Sequence, residues 1–343
     1  MTMDKATTIL VTGGTGYIGS HACVVLTQAG FEVLVLDNLS NSTAGVIDRI
    51  ERICGKRPAL VVGDIRDDRL LMQVFDEYRV DAVMHFAGLK AVGESVEQPL
   101  RYYDNNVVGT HVLLAMMREK GVRTMVFSSS ATVYSPVEPM PLRESAARCA
   151  SNPYGRTKLM LEDMIEDVHA ADPDVGFARL RYFNPVGAHE SGLIGESPQG
   201  IPNNLMPYVC QVAEGARQKL SVFGDDYPTV DGTGVRDYIH VMDLVDGHVA
   251  ALRHCLANRG MLTLNLGTGR GTSVLQLIAT FESVNGCVVP HEVVGRRVGD
   301  VAESWADARL AHEILGWSAT RGLEQMCRDS WRWQLNSVQG GAA

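Results

Sequence analysis

The fold is decided by residues 7–19, which read Thr7-Thr8-Ile9-Leu10-Val11-Thr12-Gly13-Gly14-Thr15-Gly16-Tyr17-Ile18-Gly19. The first six residues are apolar or β-branched, which favours a strand, and residues 21–26 have the composition of a helix. A glycine turn between a strand and a helix presents backbone N–H groups and the positive end of the helix dipole to a phosphate. We therefore predict a phosphate-binding turn here, in which the ligand contacts are Gly13, Gly16, Tyr17, Ile18 and Gly19.

The spacing of the glycines is typical of a dinucleotide site, because two patterns overlap, Gly14-x-Gly16-x-x-Gly19 and Gly13-x-x-Gly16-x-x-Gly19. Because the chain has 34 glycines, such a pattern can also arise by chance, and the surrounding sequence decides how it is interpreted. A second apolar run, residues 32–36, ends in Asp37, where a carboxylate would bond the ribose 2′-hydroxyl and repel a 2′-phosphate. This favours NAD over NADP. The alternative is a glycine-rich turn that binds nothing.

Six apolar strands alternate with helical patterns, at residues 7–12, 32–36, 59–63, 82–88, 124–128 and 177–182. This alternation predicts a doubly wound parallel α/β sheet whose ligands lie beyond the carboxyl ends of the strands. A long helix is expected over residues 99–120, with Val107, Val108, Val112, Leu113 and Met116 facing inward. Further helices are expected at 204–218, 242–258, 274–284 and 323–335. We predict a Rossmann domain at 1–183 and a smaller mixed α/β substrate domain at 184–343, with the segment near 238–258 packing back on the first domain.

Composition excludes several classes of protein. The formal net charge of −9 over 343 residues argues against nucleic acid or an anionic membrane as the main partner. Seven dispersed cysteines without a Cys-x-x-Cys motif suit a reducing compartment. Residues 1–5 lack a basic, apolar leader, and no apolar run reaches membrane-spanning length. A soluble cytoplasmic protein without a signal peptide is expected.

A candidate catalytic pair lies at the start of the helix after the fifth strand, where Tyr154 and Lys158 are four residues apart. This spacing places the phenol and the ammonium on one helix face. Lowering the phenol's pKa from about 10 to about 7 takes roughly 4 kcal/mol, which an ammonium and a positive nicotinamide ring can supply. The pair predicts a phenolate that takes a proton from a substrate alcohol while its hydride passes to NAD. Chance pairing of the two residues is the alternative.

The resemblance to a known family is carried by the glycine turn and by four longer stretches, which read HFAGLKAVGES at 85–95, RYFNPVGA at 181–188, IPNNLMPY at 201–208 and DGTGVRDYIHV at 231–241. Together they cover nearly the whole chain, and the last two are the most specific. The pattern resembles the extended short-chain dehydrogenase/reductases, in particular the branch that inverts C4 of UDP-hexoses.

The resemblance implies that hydride moves from C4 of a UDP-hexose to bound NAD and returns to the opposite face of a 4-keto sugar, which interconverts UDP-galactose and UDP-glucose. By position, Tyr154 is the base, Lys158 holds the nicotinamide ribose and biases Tyr154, and Ser130 bonds the sugar O4. The implied NAD contacts beyond the glycine turn are Asp37, Asn38, Asp64, Ile65, Phe86, Ala87, Gly88, Lys90, Asn105, Ser128, Tyr154, Lys158 and Tyr182. The implied substrate contacts are Ser130, Tyr154, Asn184, Asn204, Leu205, Val222, Phe223, Arg236, Tyr238, Arg297, Asp300 and Ser304. A homodimer joined through the helices after strands four and five is implied as well.

Two features of the implied substrate site follow from side-chain chemistry. Arg236 and Arg297 suit a diphosphate, because guanidinium groups bind its oxygens bidentately; surface ion pairs are the alternative. Ser304 stands where bacterial relatives often carry Tyr, which predicts room for UDP-N-acetylhexosamines. Two other departures from the family pattern, Ser135-Pro136 and Val298, could refill that space.

Three alternative functions would each require residues that can be checked in the sequence. A nucleotide-sugar 4,6-dehydratase needs an acid and a base after Ser130, but Ala131 and Thr132 stand there. A cofactor-binding regulator without catalysis would tend to lose the Tyr154/Lys158 pair. Metal hydrolysis fails on spacing, because each His-Glu pair lacks the second His of a His-Glu-x-x-His motif, at Leu193, Gly295 and Gly316. No metal site is predicted.

Overall fold

The computed structural model describes residues 6–198, 200, 202–297 and 299–340. The predictions made for residues 1–5, Ile201 and Val298 lie outside these ranges. The strands are β1 (Thr8–Thr12), β2 (Glu32–Asp37), β3 (Ala59–Val62), β4 (Ala82–His85), β5 (Thr124–Ser130), β6 (Gly176–Tyr182), β7 (Asn184–Val186), β8 (Leu220–Phe223), β9 (Val235–Arg236), β10 (Tyr238–His240), β11 (Gly260–Leu266), β12 (Thr272–Ser273), β13 (His291–Val294) and β14 (Glu303–Ser304).

The helices begin where the sequence offers caps, such as Asp67, Asn152 and the Ser273–Gln276 capping box. They are α1 (Tyr17–Gln28), α2 (Gly45–Cys54), α3 (Asp68–Glu77), α4 (Val92–Glu97), α5 (Pro99–Tyr102), α6 (Gly109–Glu119), α7 (Pro153–Ala171), α8 (Leu205–Ala213), α9 (Val241–Ala257), α10 (Val274–Asn285), α11 (Arg309–Leu315) and α12 (Leu323–Gly340). A π-helical turn, Tyr103–Val108, and a 3₁₀ turn, Ala131–Val133, complete the set.

The predicted sheet is present, with the strand order β11-β6-β5-β4-β1-β2-β3. The pairs β1–β2, β1–β4, β2–β3 and β4–β5 are parallel. The chain order reverses between β1 and β4, where Thr12 lies opposite His85. In such sheets a ligand lies at this switch point, beyond the carboxyl ends of the strands.

Three sequence predictions are corrected by the structure. The sheet has seven strands instead of six, because β11 joins it from a distant part of the chain. The helix expected over 99–120 contains the π-helical turn, which changes its register, so Val108 is 45% exposed instead of facing inward. The helix expected to reach residue 218 ends at Ala213, and Gly215 follows with a φ of +89°.

The chain forms two compact units. The first contains the residues up to Ser135, Arg148–Arg181 and Val245–Leu264; the second contains Pro136–Ala147, Tyr182–Leu244 and the residues from Asn265 onward. The domain boundary at residue 183 stays a prediction. In the first unit a core of buried side chains from the sheet and its helices includes Leu10, Val83 and Phe127, and in the second unit another includes Val209, Leu277 and Phe281.

Among the helices described, none is both long and apolar enough to span a bilayer.

Candidate active site

The glycine turn after β1 brings backbone segments closer together than side chains would allow. A Cβ built on Gly19 would lie 2.1 Å from the carbonyl oxygen of Gly13, whose own φ is +71°. α1 begins at Tyr17, followed by Ile18, and its N-cap residue is Gly16. No side chain therefore caps the first backbone N–H groups of this helix. The turn therefore leaves the positive end of α1 accessible to an anion, as a pyrophosphate requires. These residues fit a dinucleotide.

Asp37 is buried at the end of β2, beside the glycine turn. Its Oδ2 accepts a hydrogen bond from the backbone N–H of Thr15 at 3.0 Å. Its Oδ1 accepts from the N–H of Leu39 at 2.9 Å and from the hydroxyl of Ser42 at 3.3 Å. The carboxylate is thus fixed in place, and its position is compatible with the predicted ribose contact and with selection against a 2′-phosphate.

Asp64 and Asn38 meet at the ends of β3 and β2. The Asn38 amide donates to Asp64 Oδ2 at 3.0 Å, and Arg66 pairs with the same oxygen at 2.8 Å. The hydrogen bond from Arg66 is the main reason that the pKa of Asp64 lies well below its ordinary value. Ile65, which lies between Asp64 and Arg66 in the sequence, is buried. The structure thus brings three of the predicted cofactor residues to one edge of the sheet.

The loop after β4 carries Phe86 and Lys90. The Phe86 ring lies 5.0 Å from the ring of His248, which belongs to the same unit and was not predicted. Lys90 Nζ lies 5.9 Å from the centroid of the Tyr17 ring. Because β1 and β4 are neighbours, their loops lie side by side, as a shared cofactor site requires.

Gly88 packs closely on the side chain of Asn106, where an added side chain would be crowded. A Cβ built there would lie 3.3 Å from Asn106 Oδ1 and 4.0 Å from Lys158 Nζ. Asn105 donates to the same Asn106 oxygen at 2.9 Å. Gly88 and Asn105 therefore both contact the buried Asn106 amide, and Lys158 also lies close to Gly88.

One face of α7 carries three functional groups at four-residue intervals, the Tyr154 phenol, the Lys158 ammonium and the Glu162 carboxylate. All three side chains are buried. Asn152 caps the helix by accepting from the N–H of Gly155 at 2.9 Å, which fixes the turn that carries Tyr154. Glu162 was not predicted from the sequence, although its spacing from Lys158 could have indicated it.

Burial controls the pKa values of this pair. It raises the pKa of the Tyr154 phenol, and a hydrogen bond with Ser130 opposes that rise. It lowers the pKa of Lys158 to about 8, an effect that Glu162 partly offsets. Lys158 Nζ donates to the carbonyl of Ser128 at 2.7 Å. Burial therefore opposes ionisation of the phenol, and the role of Lys158 in biasing Tyr154 toward the phenolate stays a prediction.

The serine run at the end of β5 is anchored by Glu162. Ser129 donates to Glu162 Oε1 at 2.6 Å, and Arg181 binds the same carboxylate through both oxygens, at 2.8 and 2.6 Å. Burial alone would raise the pKa of Glu162, but the hydrogen bonds from Arg181 and Ser129 hold it below its ordinary value. Ser130 Oγ accepts from the backbone and the hydroxyl of Thr132, so its own proton is available to the Tyr154 oxygen.

A buried polar network joins the loop after β4 to the rest of the sheet. Ala87 N–H donates to Thr12 Oγ at 3.4 Å, and Thr12 Oγ lies 2.6 Å from His85 Nδ1. His85 Nε2 lies 2.8 Å from Thr110 Oγ, which donates to the Asn106 carbonyl at 2.7 Å. Burial, with the Lys158 charge, lowers the pKa of His85 to about 3, so its ring is neutral. The sequence did not identify this network, because its members lie on separate elements.

The second unit groups five of the predicted substrate residues. Arg236 Nη2 and Asp300 Oδ1 form an ion pair at 3.0 Å, and Arg236 Nη1 donates to a carbonyl of its own strand at 2.8 Å. Ser304 lies opposite Arg236 in the parallel pair of β14 and β9. Asn184 lies opposite Tyr238 in the pair of β7 and β10. The Arg236 side chain is 18% exposed and that of Asp300 is 35% exposed, so the pair is partly buried.

Arg297 continues this group through the backbone, since its carbonyl accepts from the N–H of Asp300 at 3.2 Å. Its guanidinium carbon lies 4.3 Å from the centroid of the Phe223 ring. Phe223 is partly exposed, whereas the side chain of Val222 is buried in the core of the unit. Val222 can therefore contact a ligand only through its backbone.

Three further predicted residues lie at element ends. Tyr182 is the last residue of β6, and Leu205 is the first residue of α8. Asn204 precedes α8, and its amide donates to Glu196 Oε1 at 2.6 Å.

The histidines of the three His-Glu pairs have local partners. His189 Nδ1 lies 2.8 Å from Ser191 Oγ, His291 Nδ1 lies 2.9 Å from the carbonyl of Val289, and His312 Nδ1 lies 3.1 Å from Ser318 Oγ. The described residues contain no group of three or more His, Cys, Asp or Glu side chains that could hold a metal ion.

The comparison with known families agrees with the sheet and the site. A family model described as GDP-mannose 4,6 dehydratase matches residues 10–330. The strand order, the glycine turn and the Tyr154/Lys158 pair thus define a member of the extended short-chain dehydrogenase/reductase class.

Within that class the similar proteins are epimerases. A UDP-glucose 4-epimerase of Bacillus subtilis is 57% identical over 332 residues, which is 97% of this chain and 98% of that protein. A crystal structure of UDP-glucose-4-epimerase from Stenotrophomonas maltophila, with bound NAD and formylated UDP-arabinopyranose, is 54% identical, with a TM-score of 0.96 and coverage of 97% and 99%. The UDP-Glc/GlcNAc 4-epimerase of Campylobacter jejuni is 34% identical, with a TM-score of 0.84 and coverage of 96% and 100%. The chain belongs to the UDP-glucose 4-epimerase family.

Proposed function

We propose that this protein interconverts UDP-galactose and UDP-glucose with NAD as its cofactor. When bound, NAD would supply the hydride acceptor and donor for C4 of the sugar and a positive charge on its nicotinamide ring. The observation that carries the proposal is the arrangement at the end of β5, where the buried Tyr154 phenol shares a helix face with Lys158 and hydrogen-bonds with Ser130. The identity to UDP-glucose 4-epimerases over nearly the full chain supports the same substrate pair.

The chain's own residues divide the work as follows. Tyr154 takes the proton from the sugar O4 and returns it after the hydride has come back to the other face. Ser130 orients O4 and hydrogen-bonds with the phenol. Lys158 adds positive charge beside the cofactor, and its bond to the Ser128 carbonyl fixes its position. Arg236 and Arg297 hold the diphosphate.

The dehydratase alternative is disfavoured at the residues that follow Ser130. Dehydration across C5 and C6 needs an additional acid and base. Ala131 and Thr132 occupy that 3₁₀ turn, and the Thr132 hydroxyl donates to Ser130 at 3.0 Å. Neither side chain can serve as a base.

The decisive experiment uses the purified protein with UDP-galactose and no added cofactor. We expect UDP-glucose to form, because hydride returned within one turnover requires no external oxidant. Nucleotide extracted from the same protein should be NAD, since Asp37 repels a 2′-phosphate. A requirement for added NAD in stoichiometric amounts, or extraction of NADP, would contradict the proposal.

Replacing Arg236 or Arg297 with Ala should weaken UDP binding by about 1.5–3 kcal/mol, the range for hydrogen bonds to charged groups. Isothermal titration with UDP measures this, and NAD content should not change. Arg296→Ala is a matched control, because Arg296 also stacks on an aromatic ring, at 4.1 Å from the centroid of Tyr227, and is not a predicted ligand. If all three variants bound UDP with the affinity of the wild-type protein, the two arginines would lie outside the substrate site.

A homodimer joined through the helices after β4 and β5 is part of the proposal. This face carries exposed apolar side chains on α4, α5 and α7, namely Val92, Val96, Leu100 and Met160, of which Leu100 is 80% exposed. Burial of such a patch drives association. Leu100→Asp should give a monomer by light scattering, whereas Val62→Asp, at an exposed valine of β3, should not. A wild-type monomer at micromolar concentration would refute the dimer.

A cytoplasmic location is also proposed. All seven cysteines are free thiols, and six of them are at least partly buried with a raised pKa. Unpaired thiols suit a reducing compartment.

A second activity, on UDP-N-acetylhexosamines, is favoured by one observation. Ser304 is a small side chain directly opposite Arg236, the predicted diphosphate ligand. The similarity to a UDP-Glc/GlcNAc 4-epimerase is consistent with this activity.

A further inference from the structure

Asp237 lies between two predicted substrate residues, Arg236 and Tyr238, yet its own side chain is fully buried. Its carboxylate accepts hydrogen bonds from two neighbouring segments of the second unit. Oδ1 accepts from the N–H of Thr268 at 2.9 Å and from the Thr268 hydroxyl at 2.6 Å. Oδ2 accepts from the N–H of Gly269 at 3.0 Å and from the N–H of Ala306 at 3.2 Å.

The backbone of Asp237 forms hydrogen bonds with two more predicted substrate residues. Its N–H donates to the carbonyl of Ser304 at 3.0 Å, and its carbonyl accepts from the N–H of Asn184 at 2.9 Å. β7, β9, β10 and β14 therefore converge on one residue, and each of these strands carries a predicted substrate ligand.

The packing around the carboxylate is close. A Cβ built on Gly267 would lie 2.6 Å from Asp237 Oδ2 and 2.6 Å from the Cβ of Ala306. Within the described residues, no cation pairs with this carboxylate, so its buried charge is balanced by N–H and O–H dipoles alone. Burial raises its pKa, and the hydrogen bonds from Thr268 oppose that rise. Such an arrangement is costly to build unless every donor is satisfied.

We propose that Asp237 is a positioning residue for the UDP-sugar, because it holds Arg236, Ser304 and Asn184 in the arrangement that binds the substrate. This inference rests on the proposed function, and it adds a residue that does not itself touch the ligand. Asparagine in its place would keep one acceptor oxygen but turn an amide NH₂ toward the N–H groups of Gly269 and Ala306. The N–H groups of Gly269 and Ala306 would then lose their acceptor and face another donor. To relieve this, the strands that carry the predicted ligands would have to shift.

The test compares Asp237→Asn with Asp243→Asn in the NAD-containing enzyme. Asp243 is the control, since it is a buried carboxylate of the same unit that accepts from the N–H groups of Thr320 and Arg321, at 3.0 and 2.8 Å, and holds no predicted ligand; unlike Asp237 it also pairs with the Arg321 guanidinium. Thermal unfolding measures the structural cost of each change, and isothermal titration measures UDP affinity well below the melting temperature.

We expect Asp237→Asn to raise the Kd for UDP and the KM for UDP-galactose about tenfold or more, equivalent to about 1.4 kcal/mol, with a smaller change in kcat. Asp243→Asn should bind UDP like the wild-type enzyme even where its melting temperature falls as far. NAD content should be equal in all three proteins. UDP affinity that is the same in both variants would overturn the inference.

A milder pair keeps the test decisive if Asp237→Asn does not fold. Thr268→Val removes only the hydroxyl that bonds Asp237 at 2.6 Å, and Thr320→Val removes the hydroxyl that bonds Asp243 at 3.2 Å. The first should weaken UDP binding severalfold and the second should not. Wild-type protein that binds UDP but does not turn over UDP-galactose would refute the proposed function alone, whereas normal UDP binding in Thr268→Val would refute the positioning role alone.

Discussion

Replacing Tyr154 with phenylalanine is expected to lower the turnover of UDP-galactose by about 10²–10⁴-fold, the contribution typical of a positioned acid or base. Only the hydroxyl oxygen is removed, so the fold and the bound NAD should persist. The phenol is buried, and its pKa is raised by that burial. Burial thus opposes ionisation of the phenol, and we expect the positive charges of Lys158 and of bound NAD to favour the phenolate.

The measurement is steady-state turnover of UDP-galactose, with NAD content and thermal unfolding as checks on integrity. Tyr102→Phe is the matched control, because Tyr102 is also buried and its hydroxyl bonds the carbonyl of Ala91 at 2.8 Å and Glu94 at 2.7 Å. That variant should lose stability but keep its chemistry. If Tyr154→Phe worked near the wild-type rate, another group would have to be the base.

The pH dependence offers a second check on this assignment. A phenol that acts as a base works only when ionised, so wild-type turnover should rise with pH up to the pKa of Tyr154 in the complex. The residual activity of Tyr154→Phe should lack this rise. A rise that survives in the variant would belong to a different group.

The parts of the fold that could be predicted are those set by local sequence. The β-branched run before Gly13, the acidic residue at the end of β2 and the four-residue spacing of Tyr154 and Lys158 each lie within one element and its neighbouring turn. The seventh strand, β11, has no such signal, because its place beside β6 is decided by packing. Val108 was misplaced for a related reason, since a π-helical turn changes the register without a clear sequence mark.

The residues that support the site were missed because their partners are far away in sequence. Glu162 bonds Ser129 across 33 residues, and Asp237 bonds Ala306 across 69. A carboxylate that accepts backbone N–H groups can do so from any position, so no spacing rule identifies it. Sequence reasoning therefore finds the groups that touch ligands more readily than the groups that hold them in place.

The wild-type enzyme is expected to interconvert UDP-N-acetylglucosamine and UDP-N-acetylgalactosamine as well as the unsubstituted pair, because Ser304 is much smaller than the Tyr that the family resemblance leads one to expect at this substrate position. Ser304 is only partly buried, and it lies opposite Arg236 on the neighbouring strand. Its carbonyl accepts a hydrogen bond from the N–H of Asp237 at 3.0 Å, which fixes the backbone at this position. A pocket limited by size selects by excluding bulk, and a smaller wall relaxes that selection without changing the chemistry at C4.

Ser304→Tyr should therefore suppress turnover of the N-acetylated pair by about 10²-fold, since a steric clash in a shaped pocket is worth a few kcal/mol, while UDP-galactose turnover is spared. Ser304→Ala is the control, because it removes the hydroxyl without adding bulk and should keep both activities. Both substrate pairs are assayed in all three proteins under the same conditions. The alternative is that other side chains refill the space, since protein interiors rarely leave room empty. In that case the wild-type enzyme would not turn over the N-acetylated pair, and Ser304→Tyr would not differ from it.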